Sequence, residues 1–171
     1  MNHTVDFFIE KCRNLFLEKL IDYDLSWLYL KKYSIIDQIF IKTIRIKNIN
    51  FKGEQSIKEE KITDTYIDII NYLIILLIKL DTFFISLKNS NNKISHDQII
   101  SFYNKKFDNL KNYMNNYFKY KICFDHFDDD LVDKFLYLKK NSKKILSKKL
   151  EEFYYQIIIE ILFFLKKNYY K

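Results

Sequence analysis

The chain has 171 residues, 49% of them hydrophobic and 18% aromatic, with a formal net charge of +7. That length suits one domain, or two half-domains sharing a core, and the apolar content is enough to bury one. Proline is absent and Gly53 is the only glycine, which excludes P-loop and Rossmann sites, because both need glycine-rich phosphate turns.

The scarcity of helix breakers points to an all-α fold. Ile, Lys, Asn, Phe and Tyr are abundant while Gly, Pro and Ala are scarce, the bias that A/T-rich codons produce. Basic and aromatic content is therefore weak ground for nucleic-acid binding, which is discounted. Cys12 and Cys123 lack CxxC spacing and fit a reduced, cytoplasmic protein. Met1 to Asp6 does not have the form of a secretion signal. The most apolar run, Tyr72 to Ile78, falls far short of the ~20 residues a bilayer crossing needs, so no membrane is expected.

In chain order, the first helix is predicted over 4–21, with Val5, Phe8, Cys12, Leu15, Phe16 and Leu20 on its core side. A non-periodic stretch, Asp22-Tyr23-Asp24-Leu25-Ser26-Trp27, carries the only tryptophan. A capping box, Ser34-Ile35-Ile36-Asp37, opens a helix to about 50. A turn at Gly53 leads into a long helix over about 58–87, kinked or broken late. The stretch Lys88 to Lys93 reads as a linker, and Ser95-His96-Asp97-Gln98 caps a helix to about 121. Asp128, Asp129 and Asp130 open another to about 146, and the last covers about 147–168.

The two halves echo each other. Ser34 to Ile49 lies over Asp130 to Ile145, and Tyr66 to Leu77 over Tyr154 to Leu165. This suggests an antiparallel bundle of two tandem, diverged three-helix repeats: an N-terminal repeat over 1–88, a linker over 89–95 and a C-terminal repeat over 96–171. Glu60, Asp64, Asp68 and Asn71, spaced by four, four and three residues, share about 80° of arc on the long helix. Asp68 and Asn71 have apolar or aromatic neighbours on both sides, where a carboxylate needs a cation, a metal or hydrogen-bond donors. In the second half Glu60 corresponds to Lys148, Asp68 to Gln156, Asn71 to Ile159 and Arg45 to Asn141. At most one site per chain is expected.

Three segments of the first half resemble a known family. Asp22-Tyr23-Asp24-Leu25-Ser26-Trp27 is similar to its Asp-Tyr-Gly-x-x-Trp signature, with Asp24 in place of a glycine expected at positive φ. Asp37 to Ile46 is similar to its Asp-Gln-Ile-Phe-Ile-Lys-x-x-Arg-Ile segment, and Glu60 to Tyr72 to its Glu-x-Ile-x-Asp-x-x-x-Asp-x-x-Asn-Tyr block. The family is the first nucleotide-modification-associated domain, here of the tandem-repeat type found in Bacteroidota. More distantly it resembles the all-α, MazG-like nucleoside triphosphate pyrophosphatases.

The resemblance implies a Mg²⁺-dependent hydrolase of nucleoside triphosphates. Glu60, Asp64 and Asp68 would hold the ion, with Glu60 and Asp68 in the catalytic role. Lys42 and Arg45 would meet phosphate oxygens, Asn71 and Asp37 would orient ligands, and Trp27 and Tyr72 would stack on a base. Each residue has a plainer reading. Glu60 and Asp64 complement a helix dipole, Asp37 caps a helix, Trp27 packs, and Lys42 and Arg45 pair with Asp68 as an internal salt bridge. The alternative function is a non-catalytic helical protein kept for nucleotide binding or assembly. The partners expected are a nucleotide and, from the exposed faces of long helices, a second copy in a homodimer.

Overall fold

The stretch Ile57–Leu80 (α3) organises the fold, because its central turns are apolar nearly all the way round and such a helix is stable only when surrounded. Tyr66, Ile69, Ile70, Leu73, Ile74, Leu76 and Ile78 are completely buried. A computed structural model describes the backbone of residues 3–52, 57–90, 93–117 and 127–169; of these, the side chains at 3, 52, 57–61, 116–117, 127–130 and 169 lie outside the description.

Around α3 stand His3–Tyr23 (α1), Lys32–Lys52 (α2), Thr82–Asn89 (α4), His96–Tyr117 (α5), Phe127–Asn141 (α6) and Ser147–Tyr169 (α7). A short 3-10 turn, Ser26–Tyr29, links α1 to α2. The fold is all-α, with no strand among the described residues. α3 packs on α1, α2, α5 and α7, so both sides of the expected linker feed one core. α2 packs on α6 and α3 on α7, the element pairs that the repeat equates.

Two element boundaries differ from expectation: α6 ends at Asn141, short of the expected 146, and the start of α2 is shifted. α2 begins at Lys32, and the Ile35 amide donates to the Lys31 carbonyl at 3.2 Å, so Ser34 lies inside the helix and caps nothing. The late break expected in the long helix falls at Asp81, whose carboxylate accepts from the Phe83 and Phe84 amides at 3.0 and 3.3 Å, ending α3 at Leu80 and starting α4. The axis turns there by 69°. Among the described residues, no single helix is long and apolar enough to cross a membrane. The capping box at Ser95 forms as expected: the Gln98 amide donates to Ser95 Oγ at 3.2 Å, and Gln98 Oε1 accepts from the Ser95 amide at 2.9 Å. The Gly53 turn, Cys123, and the Asp128, Asp129 and Asp130 side chains fall outside the described residues.

Buried ion pairs tie the helices together. Lys106 on α5 reaches Asp81 at 2.6 Å, with both side chains nearly sealed from solvent. Lys134 on α6 pairs with Glu160 on α7, whose other oxygen accepts from Gln156 at 3.2 Å. A buried carboxylate left alone would be costly, so each is matched to an ammonium on a neighbouring helix.

Candidate functional site

A cavity of about 290 Å³ opens between the end of α1, the 3-10 turn and the middle of α3, with Lys19, Trp27, Asp68, Asn71 and Tyr72 in its lining. It exists because the chain reverses sharply after α1. Asp24 takes a left-handed conformation, φ 50°, the geometry expected where the family signature has glycine. The reversal folds Trp27 back under the helix ends, where its ring stacks at 6.4 Å on Phe84 and carries the Lys79 ammonium at 5.7 Å. Asp24 also pairs with His96 at the start of α5. Asp24→Gly and Asp24→Ala both remove that pair, so their difference isolates the backbone cost. Alanine should melt about 3 °C or more below glycine by circular dichroism.

Asp68 reaches the cavity wall from α3. Lys19 on α1 donates to one of its oxygens, and Lys42 on α2 donates to the other at 2.6 Å. Burial alone would raise the pKa of this carboxyl, but hydrogen bonds and charge from the two lysines outweigh it and hold it below the usual carboxylate range. Lys42 also lies 5.6 Å from the Tyr72 ring centre. The plainer reading of Lys42, an internal pair with Asp68, describes its contact here.

Asn71 serves as a three-helix tie. Its Nδ2 donates to the Cys12 carbonyl on α1 at 3.1 Å, and its Oδ1 accepts from the Tyr103 hydroxyl of α5 at 2.6 Å. Burial pushes the Tyr103 hydroxyl well above its ordinary pKa, so it stays a donor. The Tyr103 ring stacks on Phe16 at 3.9 Å. Asn71 is thereby fixed as part of the cavity floor.

The structure therefore gathers Asp68, Lys42, Asn71, Trp27 and Tyr72 and leaves others apart. Asp64 and Arg45 are exposed, and neither lines the cavity. Asp37 caps nothing: it lies within α2 and pairs with Lys139 of α6 at 2.6 Å. The Glu60 side chain lies outside the described residues. Among the described residues, no group of three or more His, Cys, Asp or Glu side chains converges as a metal cradle. Both Asp68 oxygens face ammonium groups, and cations there oppose a divalent ion. The described residues thus do not fit Mg²⁺.

Sequence reasoning missed Lys19, the second cation on Asp68. A signal was present: Lys19 follows Cys12 by seven residues, two helical turns, and so shares its buried face. Phe16, Tyr23 and Ser26, also in the lining, carried no comparable mark.

Fold and site together define an all-α protein with an aromatic-walled, lysine-bridged aspartate cavity. Residues 19–80 match the family described as nucleotide modification associated domain 1. The match takes in Lys19, Trp27, Lys42, Asp68, Asn71 and Tyr72, and stops short of α4 and the whole second half. No curated protein and no solved structure gives a significant match to the chain.

Proposed function

We propose that the chain binds a nucleoside or nucleotide in the Trp27 cavity. The observation that carries this reading is a carboxylate held by two lysines in an aromatic-lined cavity of about 290 Å³, within the family-matched segment. That volume is near the lower end for small-ligand pockets and suits a nucleoside better than a whole triphosphate. Trp27 and Tyr72 offer ring surface to a flat base. Asp68 accepts from a ribose hydroxyl or a base N–H, while Lys19 and Lys42 hold its carboxylate ionised and in place. Asn71 is occupied with Cys12 and Tyr103 and acts by positioning the wall. A cytoplasmic setting suits such a ligand, and the buried free thiol of Cys12 is consistent with it. The tandem repeat is supported by the α2–α6 and α3–α7 packing, and a homodimer fits the exposed apolar side chains Phe51, Ile21 and Ile41.

The test uses Trp27, the only tryptophan, as its reporter. Titration of unphosphorylated nucleosides should change Trp27 fluorescence saturably and raise the thermal midpoint. No response to any nucleoside at millimolar concentration would refute the reading.

A second reading is a Mg²⁺-dependent, MazG-like nucleoside triphosphate pyrophosphohydrolase. The MazG-like likeness rests on resemblance alone. Against it, Asp64 is exposed and outside the cavity, and both Asp68 oxygens meet ammonium groups. Pyrophosphate release from a nucleoside triphosphate panel with Mg²⁺, lost in Asp64→Asn, would establish it. Binding without release would leave the non-catalytic reading.

A further inference from the structure

On the other side of the 3-10 turn lies a second, larger cleft of about 750 Å³, formed where α2, the end of α3, α4 and the α6–α7 connection meet. Its composition is one-sided. Lys31, Lys32, Lys79, Lys88 and Lys143 line it, and among the described residues no Asp or Glu does. Elsewhere the protein answers its inward lysines with carboxylates: Lys106 with Asp81, Lys134 with Glu160, Lys19 and Lys42 with Asp68.

Lys79 is the sharpest case. Its side chain is buried, yet among the described residues its ammonium donates only to the Leu28 carbonyl, at 3.1 Å, and lies over the Trp27 ring. Lys88 reaches for the same carbonyl at 3.3 Å, so two cations share one neutral acceptor. Burial, then the charges of Lys88 and Lys32, push the Lys79 pKa down to about 8. Across the cleft mouth the exposed Tyr33 ring lies between Lys31 at 5.7 Å and Lys143 at 5.1 Å. Gathering like charges in one concavity raises the energy of the empty protein and concentrates anions there.

We propose that this cleft binds a small molecule carrying an oligophosphate chain, with Lys79, Lys88 and Lys143 as its principal cations. Several ammonium groups converging on one space suit a chain of adjacent phosphates better than a single carboxylate. Lysine meets phosphate as a point charge, which needs no fixed fork geometry. The apolar part of the lining, which includes Phe84, Ile85 and Tyr154, accommodates the uncharged remainder of the ligand. Leu30 lines both this cleft and the Trp27 cavity, so the two sites are neighbours across one turn. The inference does not depend on the nucleoside reading.

Inorganic triphosphate, which has no base, is the probe. Calorimetric titration of the full chain should show saturable binding that weakens as salt rises from 50 to 200 mM. Lys79→Met combined with Lys143→Met should weaken it about 10-fold or more. Lys11→Met combined with Lys111→Met, two exposed lysines on α1 and α5, removes the same charge and should change it less than about twofold. Lys143→Glu alone, at an exposed connection, provides the same test if the Lys79 variant does not fold. Asp68→Asn should leave triphosphate binding intact, which separates failure of this site from failure of the nucleoside cavity. Absence of triphosphate binding by the wild-type chain, or equal weakening by the two lysine pairs, would overturn the proposal.

Discussion

Replacing Asp81 by alanine is expected to cost about 3–5 kcal/mol of folding stability, more than any change at an exposed residue. Asp81 performs two tasks at once. Its Oδ1 caps α4 through the Phe83 and Phe84 amides, and its Oδ2 neutralises Lys106 from α5, which is almost wholly buried. Loss of the cap alone accounts for about 0.5–2 kcal/mol. The remainder comes from leaving an ammonium in the core with no counter-charge. For a chain of this size the thermal midpoint should fall by roughly 6–20 °C. Adding Lys106→Met should recover much of the loss, since it removes the stranded charge and keeps the volume. If the single and double variants melt together, the pair is not what holds this corner.

The same carboxylate sets an acid limit on stability. Burial pushes the Asp81 pKa upward, but the hydrogen bond and charge of Lys106 and the Phe84 amide outweigh burial and leave it depressed. A depressed carboxyl contributes stability that is complete above its unfolded value, about 4, and disappears as pH falls through the lower folded value. The gap between wild type and Asp81→Ala should therefore be flat across neutral pH and close only in acid.

Much of this fold was legible in the sequence. The helices on either side of Gly53, the capping box at Ser95 and the buried face of α1 follow from periodicity and from side chains that satisfy their own helix ends. The positive φ of Asp24 could be expected because a glycine signature implies it. The break at Asp81 was legible as a late kink or break, but not at that residue. An Asp-Thr pair inside an apolar run is a good N-cap, but only its partner Lys106, 25 residues on, commits it to that role. Ser34 shows the converse: the capping-box pattern was present, and α2 simply began a turn earlier.

The candidate site divides along the same physical line. Asp68, Asn71, Tyr72 and Trp27 announced themselves as polar or bulky groups whose local surroundings could not satisfy or expose them. Which partner would answer each was a tertiary matter. Tyr103 and the Cys12 carbonyl answer Asn71, and Lys19 joins Lys42 at Asp68, from helices that periodicity cannot orient relative to α3. Arg45 follows Lys42 by three residues, yet it faces solvent while Lys42 turns inward. A shared helical stripe brings side chains near one another along a helix, but the packing of neighbouring helices selects which of them meet a partner.

Asp68→Asn should abolish nucleoside binding by the Trp27 cavity while costing the fold less than Asp81→Ala. The amide keeps the shape but removes the charge on which Lys19 and Lys42 converge, so two ammonium groups would then face each other across a neutral group. Both lysines keep some contact with water, Lys19 more than Lys42, and water screens their repulsion. The stability loss is therefore about 1–2 kcal/mol. Because the Asp68 carboxyl titrates below its ordinary value, it is ionised throughout pH 5–8. Wild-type nucleoside affinity should be level across that range, and the stability gap to Asp68→Asn should narrow only as pH drops below about 4. Fluorescence titrations of both proteins at several pH values, alongside melting curves, separate the two roles. Unchanged nucleoside affinity in a folded Asp68→Asn protein would show that this carboxylate serves the bundle and not a ligand.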